Sequence, residues 1–455
     1  MANPAIPRRR VLLGMLASTG AMASATVPAM AKTRAASPGG MLDAASRGLT
    51  PGTDQTRLLQ KLLEETARSG EILFLPPGDY VCGELRLPTI TRLAGIRGAS
   101  RLLGPHLALQ SGGAERISLT GLTLDGLARR GEDLGRHLVE ILACPDLSVD
   151  DCELLGAGGH ALALTEVGGT VRQSRIAGAG FAALLSRDAR GVSVSDNIVE
   201  DCGNGGILIH RSTPGTDGSI VSGNRIARTR ADAGGTGQNG NAVNLYKAHG
   251  VTVSGNQIDD SAFSAIRANG GSNAVISGNA CRNSGETALY AEFQFEGAVI
   301  SGNLVDGAAI GISIANFNEG GRLAVCTGNL VRNLRTRGPY PADAPGFGMG
   351  ISVEADTVVS NNVVEGAPLF GLKLGWGPYL RDVSATGNVL RDCGTGIGVS
   401  VVEGSGKALI ASNLISNTAR GAIVGFRWSK AVTSDLARDP DSAPAHLSLS
   451  ANMAG

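Results

Sequence analysis

One short phrase, apolar-x-apolar-Ser-Gly-Asn-x-apolar, recurs along the chain and limits its fold more than any other feature. It reads Ile220-Val221-Ser222-Gly223-Asn224, Val251-Thr252-Val253-Ser254-Gly255-Asn256, Val275-Ile276-Ser277-Gly278-Asn279 and Val299-Ile300-Ser301-Gly302-Asn303. Variants end at Asn197, Asn329, Asn362, Asn388, Asn413 and Asn452, and degenerate copies place Leu122, Cys152 and Ser174 at the Asn position. Successive anchors lie 30, 22, 23, 27, 32, 23, 24, 26, 33, 26, 25 and 39 residues apart. A period of this length signals stacked repeats, each burying its apolar face only against its neighbours. The 455 residues, which would ordinarily divide into two or three domains, then fit one array.

Within each repeat the alternation has period two, so the elements are strands. Gly-Asn supplies the turn, because both residues tolerate left-handed backbone angles. A second strand centres on a Gly-led apolar run, as in Gly206-Ile207-Leu208-Ile209, Gly311-Ile312-Ser313-Ile314, Gly350-Ile351-Ser352-Val353 and Gly396-Ile397-Gly398-Val399. Leucine-rich repeats share the length but need a Leu-x-x-Leu-x-Leu frame, and propeller blades run longer with other signatures. The reading is an all-β, single-stranded parallel β-helix with its anchor asparagines stacked into a structural ladder. The 66 glycines lack the strict every-third spacing of collagen.

Four segments follow. Residues 1–31 read as a signal peptide: Arg8-Arg9-Arg10-Val11-Leu12 has the form of a twin-arginine export signal, and Ala29-Met30-Ala31 that of a cleavage site. Residues 32–50 read as a linker, 51–110 as an N-terminal cap with the first coils, and 111–455 as β-helix repeats. In the cap, 53–68 is an expected amphipathic helix with Leu58, Leu59, Leu62 and Leu63 on one side and Thr53 or Asp54 as its cap. The expected location is the periplasm or outside the cell, with the twin-arginine translocase as export partner. No later stretch is apolar for about 18 residues, so no stable membrane insertion is expected. Lys+Arg and Asp+Glu balance at 40 each, against a nucleic-acid partner. The seven scattered cysteines form no CxxC pair and read as small buried residues.

The run Thr53-Asp54-Gln55-Thr56, the Leu-rich helix, and Phe74-Leu75-Pro76-Pro77-Gly78-Asp79-Tyr80 resemble the opening of the pectate-lyase-like, right-handed β-helix superfamily. The Ser-Gly-Asn coils are similar to its repeats, and the leader plus array looks like a twin-arginine-translocated repeat protein of that fold. The resemblance covers about residues 50–452. It implies a right-handed coil but no single activity, since that superfamily holds lyases, hydrolases, epimerases and adhesins. Its catalytic signatures are mostly absent. The nearest approach to a polygalacturonase Gly-His-Gly segment is Gly158-Gly159-His160-Ala161, with no Arg-Ile-Lys partner, and the epimerase Asp-Pro-His is missing. No cofactor or metal site is expected; calcium at Asp150-Asp151 or Asp259-Asp260 is the weaker alternative to solvated turns.

Geometry points to a candidate site. Residues at one repeat phase stack about 4.8 Å apart. With Ile207, Val243, Ile266, Leu289, Ile312, Ile351, Leu372, Ile397 and Ile423 inward, the middle rungs present His210, Asn244, Tyr246, Arg267, Asn269, Tyr290, Glu292, Glu354 and Lys373 outward. Of the 16 aromatics, 11 fall between Tyr246 and Tyr379, and aromatic faces stack on sugar rings. The insertion 334–347, with Pro339, Tyr340, Pro341 and Pro345, is placed to wall or cover this strip. The expected function is a carbohydrate-active or carbohydrate-binding β-helix acting on a polysaccharide or oligosaccharide, an acidic glycan in the enzymatic reading. The catalytic candidates are Arg267, Tyr246, Tyr290, Glu292 and Glu354. Arg267 would hold a uronate carboxylate while Tyr246 or Tyr290 moves a proton, or Glu292 and Glu354 would act as an inverting pair. The substrate-binding set is His210, Asn244, Asn269, Lys373 and Trp376. The alternative is a non-catalytic binding or adhesive scaffold. Arg267, Tyr290 and Glu292 are expected to be surface-accessible.

Overall fold

The computed structural model describes residues 40–127 and 135–455; the export signal and its cleavage site lie outside the described residues. Three parallel sheets of 16, 15 and 15 strands run side by side, and consecutive strands of the chain pass from one sheet to the next. Apart from the first strand pair and the closing hairpin, each coil contributes one strand to each sheet, and neighbours within a sheet are equivalent strands of successive coils. The first sheet holds the strands that precede the Asn turn, such as Ile220–Ser222; the second holds those that follow it, such as Arg225–Ala227. The third holds the Gly-led strands, such as Asn241–His249. An antiparallel hairpin, Ile423–Arg427 with Lys430–Asp435, ends this third sheet.

The core follows from the period-two pattern. All nine residues expected inward on the third sheet, from Ile207 to Ile423, are at most 1% exposed. The seven cysteines are likewise buried and unpaired. The anchor asparagines form the expected ladder. Asn303 accepts from the Asn279 backbone N–H (2.9 Å) and amide (3.0 Å) through Oδ1, and its own amide donates to Ile276 O and Asn329 Oδ1, both at 3.0 Å. The same exchange runs from Asn197 to Asn452, so each buried amide is fully satisfied. Ser174 accepts the turn bond from Cys152 N–H in the degenerate coils.

Two boundaries differ from the sequence reading. Within the expected linker 32–50, Met41–Asp43 already pairs in parallel with Ile72–Phe74, with Leu42 turned into the core. The helix is Thr56–Ser69, three residues later than expected at its start. The cause is tertiary pairing: Asp54 bridges Val81 and Gln55 N–H donates to Val81 O, which holds residues 54 and 55 in the first coil. The Asp54 carboxylate still accepts from Thr56 N–H at 2.8 Å. Leu59, Leu62 and Leu63 are buried over the first coils, while Leu58 is partly buried against them.

Candidate functional site

The outward columns of the third sheet carry the expected side chains in the expected register. His210 pairs with Tyr246, Tyr246 with Asn269, and Asn269 with Glu292; in the adjacent column Asn244 pairs with Arg267 and Arg267 with Tyr290. Loops at both ends of the strands turn this face into a groove. On one side, 228–240 brings Thr236, Gly237 and Gln238 against the sheet, and 333–348 brings Tyr340. On the other, strand Gly205–Thr216 has a register break between His210 and Gly215 that pushes 211–214 outward.

An open cleft of about 430 Å³ lies where these parts meet, lined by His210, Thr236, Gly237, Gln238, Asn244, Tyr246, Arg267 and Asn269. Tyr246 is 38% exposed and stands edge-on to the His210 ring at 5.7 Å, with Lys247 Nζ 4.8 Å from its ring centre. His210 Nε2 lies 3.0 Å from Asn244 Oδ1. Burial, only partly opposed by that bond, lowers the His210 imidazole to about 4, so the ring is neutral at pH 7.

Behind the cleft, Arg267 is committed to carboxylates. Its Nε and Nη2 meet Glu292 Oε1 and Oε2 at 2.5 and 3.0 Å, and its Nη1 meets Glu286 Oε2 at 3.3 Å. Asn269 donates to Glu292 at 2.9 Å, and Tyr340 donates to Glu286 Oε1 at 2.5 Å. Arg267 also stacks on Tyr290, 5.1 Å from the ring centre. Gly237, at φ +128°, crosses directly over the guanidinium, and a Cβ there would collide with Nη1. Burial pushes the Glu286 carboxyl and the Tyr290 hydroxyl up from their ordinary values.

This corrects the expected accessibility. Arg267 is 9% exposed and Glu292 1%, and only Tyr290 of the three is half-buried. They point away from the core, but the insertion loops and mutual ion pairing take them out of solvent. Glu354 and Lys373 are buried too and belong to a separate group further along the third sheet. Glu354 accepts from Phe317 N–H at 2.8 Å, while Lys373 donates to Gly375 O at 2.9 Å and lies 4.8 Å over the Trp376 ring. Burial lowers the Lys373 amine to about 8 and raises the Glu354 carboxyl. Glu292 and Glu354 thus serve different partners and do not face each other across a shared opening. The structure brings His210, Asn244, Tyr246, Arg267 and Asn269 together, and sets Glu354, Lys373 and Trp376 apart from them.

Glu286, Thr236 and Gln238 escaped the sequence reading. Glu286 stands three residues before inward Leu289, at the bend where Gly240, Phe263 and Ala309 occupy the equivalent positions, so no alternation marks it. Of the two acid pairs singled out as calcium alternatives, three carboxylates face arginines and Asp260 accepts from the Asn283 amide at 3.2 Å. Asp150 meets Arg172 at 2.7 Å, Asp151 meets Arg97 at 3.1 Å, and Asp259 meets Arg282 at 3.3 Å.

Comparison with known proteins bears on the fold. A family model described as a right handed beta helix region matches residues 215–378. The architecture is the right-handed parallel β-helix. The N-terminal fragment of bacteriophage phi29 gene product 12 is similar at 13% identity, over 84% of this chain and 82% of that one, with a TM-score of 0.53. PfbA, a surface adhesin of Streptococcus pneumoniae, is similar at 14% identity over 87% and 95%, with a TM-score of 0.47. A mannuronic acid specific polysaccharide family 6 lyase from human gut microbiota is similar at 12% identity over 91% and 90%, with a TM-score of 0.46. At such identities the likeness concerns the fold. No curated protein matches the sequence.

Proposed function

We propose that this is an exported glycan-binding β-helix whose ligand lies in the cleft between His210 and Asn269, over Tyr246. The observation that carries the reading is the cleft itself: a partly exposed aromatic ring, with Lys247 Nζ over one face, beside hydrogen-bonding groups on adjacent rungs. Sugar rings offer apolar faces for Tyr246 and hydroxyls for Asn244, Asn269, Gln238 and Thr236. The cleft spans three stacked rungs and is open to solvent, which suits a segment of an extended chain.

The binding reading is stronger than hydrolysis by Glu292 and Glu354, because both carboxylates are buried and already paired. It is also stronger than uronate capture by Arg267, whose fork is filled by Glu292. A second reading, a proton-transferring enzyme, is favoured by one observation: His210 is held neutral beside Tyr246, as a general base must be. Twin-arginine export and a periplasmic or secreted location complete the proposal, on the strength of Arg8-Arg9.

The test is a binding measurement with fragments of polyuronates, β-glucans and mannans. Tyr246→Ala should weaken the bound fragment at least tenfold with circular dichroism unchanged. Unchanged affinity would place the ligand elsewhere. New reducing ends or unsaturated products with wild type, lost in His210→Ala, would decide for the enzyme.

A further inference from the structure

Beyond the cleft, a cluster of aromatic rings lies at the far end of the third sheet. Trp428 is 49% exposed, and Trp376 packs edge-to-face against it with ring centres 5.3 Å apart and planes at 80°. Phe370 and Phe426 form a second edge-to-face pair at 5.1 Å, meeting over Gly398, where a Cβ would strike Phe370. Lys373 lies beneath Trp376. The gap among these residues holds only about 10 Å³, so it is a seam, and what faces solvent is ring surface.

Trp428 shares exposure and a positive φ with Leu127, Phe293 and Leu323, and is the largest side chain among them. It is the first of two residues linking Arg427 to Lys430 in the closing hairpin, with φ +55°. That position favours Gly, Asn or Asp, because a bulky side chain is strained at positive φ. The turn therefore gains nothing from tryptophan, and burial gains only half of the side chain.

We propose that Trp428 and Trp376 form a second glycan platform, and that the natural ligand is a polymer long enough to occupy the cleft and the platform at once. This rests on the cleft reading above and adds a length requirement to it. The spacing is set by register. Asn244 is followed through Arg267, Tyr290, Ser313 and Ser352 to Lys373, five rung steps in one column. At about 4.8 Å per step that is about 24 Å. Both sites lie on the face of one rigid sheet, so a chain held in the cleft is presented to the platform at high effective concentration. Two weak contacts then combine into avidity that neither site has alone.

The sequence provides its own reporter. Its two tryptophans are both in the platform, so tryptophan emission senses the platform and not the cleft. Fragments of polyuronate, β-glucan and mannan would be separated by length and titrated into the wild-type protein, Trp428→Ala and Tyr246→Ala, with heat and tryptophan emission read in parallel. Short fragments should bind with no emission change. Beyond a threshold length the affinity should rise at least tenfold and the emission should shift. Trp428→Ala should remove that rise and leave short-fragment affinity intact. Long fragments that bind without altering emission, or with equal affinity to Trp428→Ala, would overturn the platform and leave the cleft standing. Emission shifts that persist in Tyr246→Ala at unchanged affinity would overturn the cleft and the length requirement together. Absence of binding by every fragment overturns both.

Discussion

At the scale of single residues, Arg267 and Tyr246 illustrate how one sheet face can hold two kinds of side chain. Tyr246 is 38% exposed, with Lys247 Nζ over one face of its ring, whereas Arg267 neutralises two buried carboxylates. Arg267→Ala should destabilise the fold by about 3–5 kcal/mol, because it leaves Glu292 and Glu286 buried without a cation. Denaturant unfolding measures this, and a loss within 1 kcal/mol would show the pair to be dispensable. The direction of Arg267 was legible in the sequence, since period two fixes which residues leave the core. Its burial was not. Gly237, which crosses it, and Tyr340, which bonds its partner Glu286, come from insertions whose conformations no repeat dictates. Histidines supply a second residue-level expectation. Burial lowers His160 and His210 to about 4, and His137 and His249 are lowered as well. The unfolded chain then binds more protons than the folded one below about 6.5, so stability should fall as pH drops from 6.5 towards 4. Asp306 and Asp356 are held low by arginines and act only below the unfolded carboxylate value, whereas the raised Glu286 and Glu354 carboxyls oppose the histidines above it, so the His160 contribution is read from the change in slope on its replacement. Melting curves across this range check the slope. His160→Phe should flatten it, and an unchanged slope would remove His160 from the cause.

At the scale of elements, the turn after the first-sheet strand is the most repetitive part of the molecule and the best specified. Asn303→Asp removes the two bonds donated by its amide and sets a carboxylate against Ile276 O and Asn329 Oδ1. The expected loss is about 2–4 kcal/mol. Equal unfolding midpoints for mutant and wild type would contradict the ladder. The strands, the ladder and the inward column could all be read from spacing, because each coil repeats the same physical problem. The start of the helix could not, because a cap signal at Thr53-Asp54 competes with pairing to Val81, and that competition is visible only in three dimensions. The cleft loops share this character. The 334–347 insertion was recognisable by length and proline content, but its anchor, Tyr340 on Glu286, joins residues 54 positions apart.

At the scale of the whole molecule, the stack of coils converts a sequence period into a ruler. Side chains that recur every coil become a column with fixed spacing, and ligand length becomes a structural variable. Among the described residues no helix is long and apolar enough to cross a membrane. The leader remains a separate expectation: replacing Arg8 and Arg9 by Lys should leave uncleaved precursor, and normal processing of that variant, with a start near Lys32, would point to the general secretory route. The glycan cleft is tested most directly by diffraction from crystals soaked with polyuronate, β-glucan and mannan fragments. Ring-shaped density should lie over Tyr246, within hydrogen-bonding distance of Asn244 and Asn269. Density confined to another face, with the Tyr246 cleft empty, would contradict it.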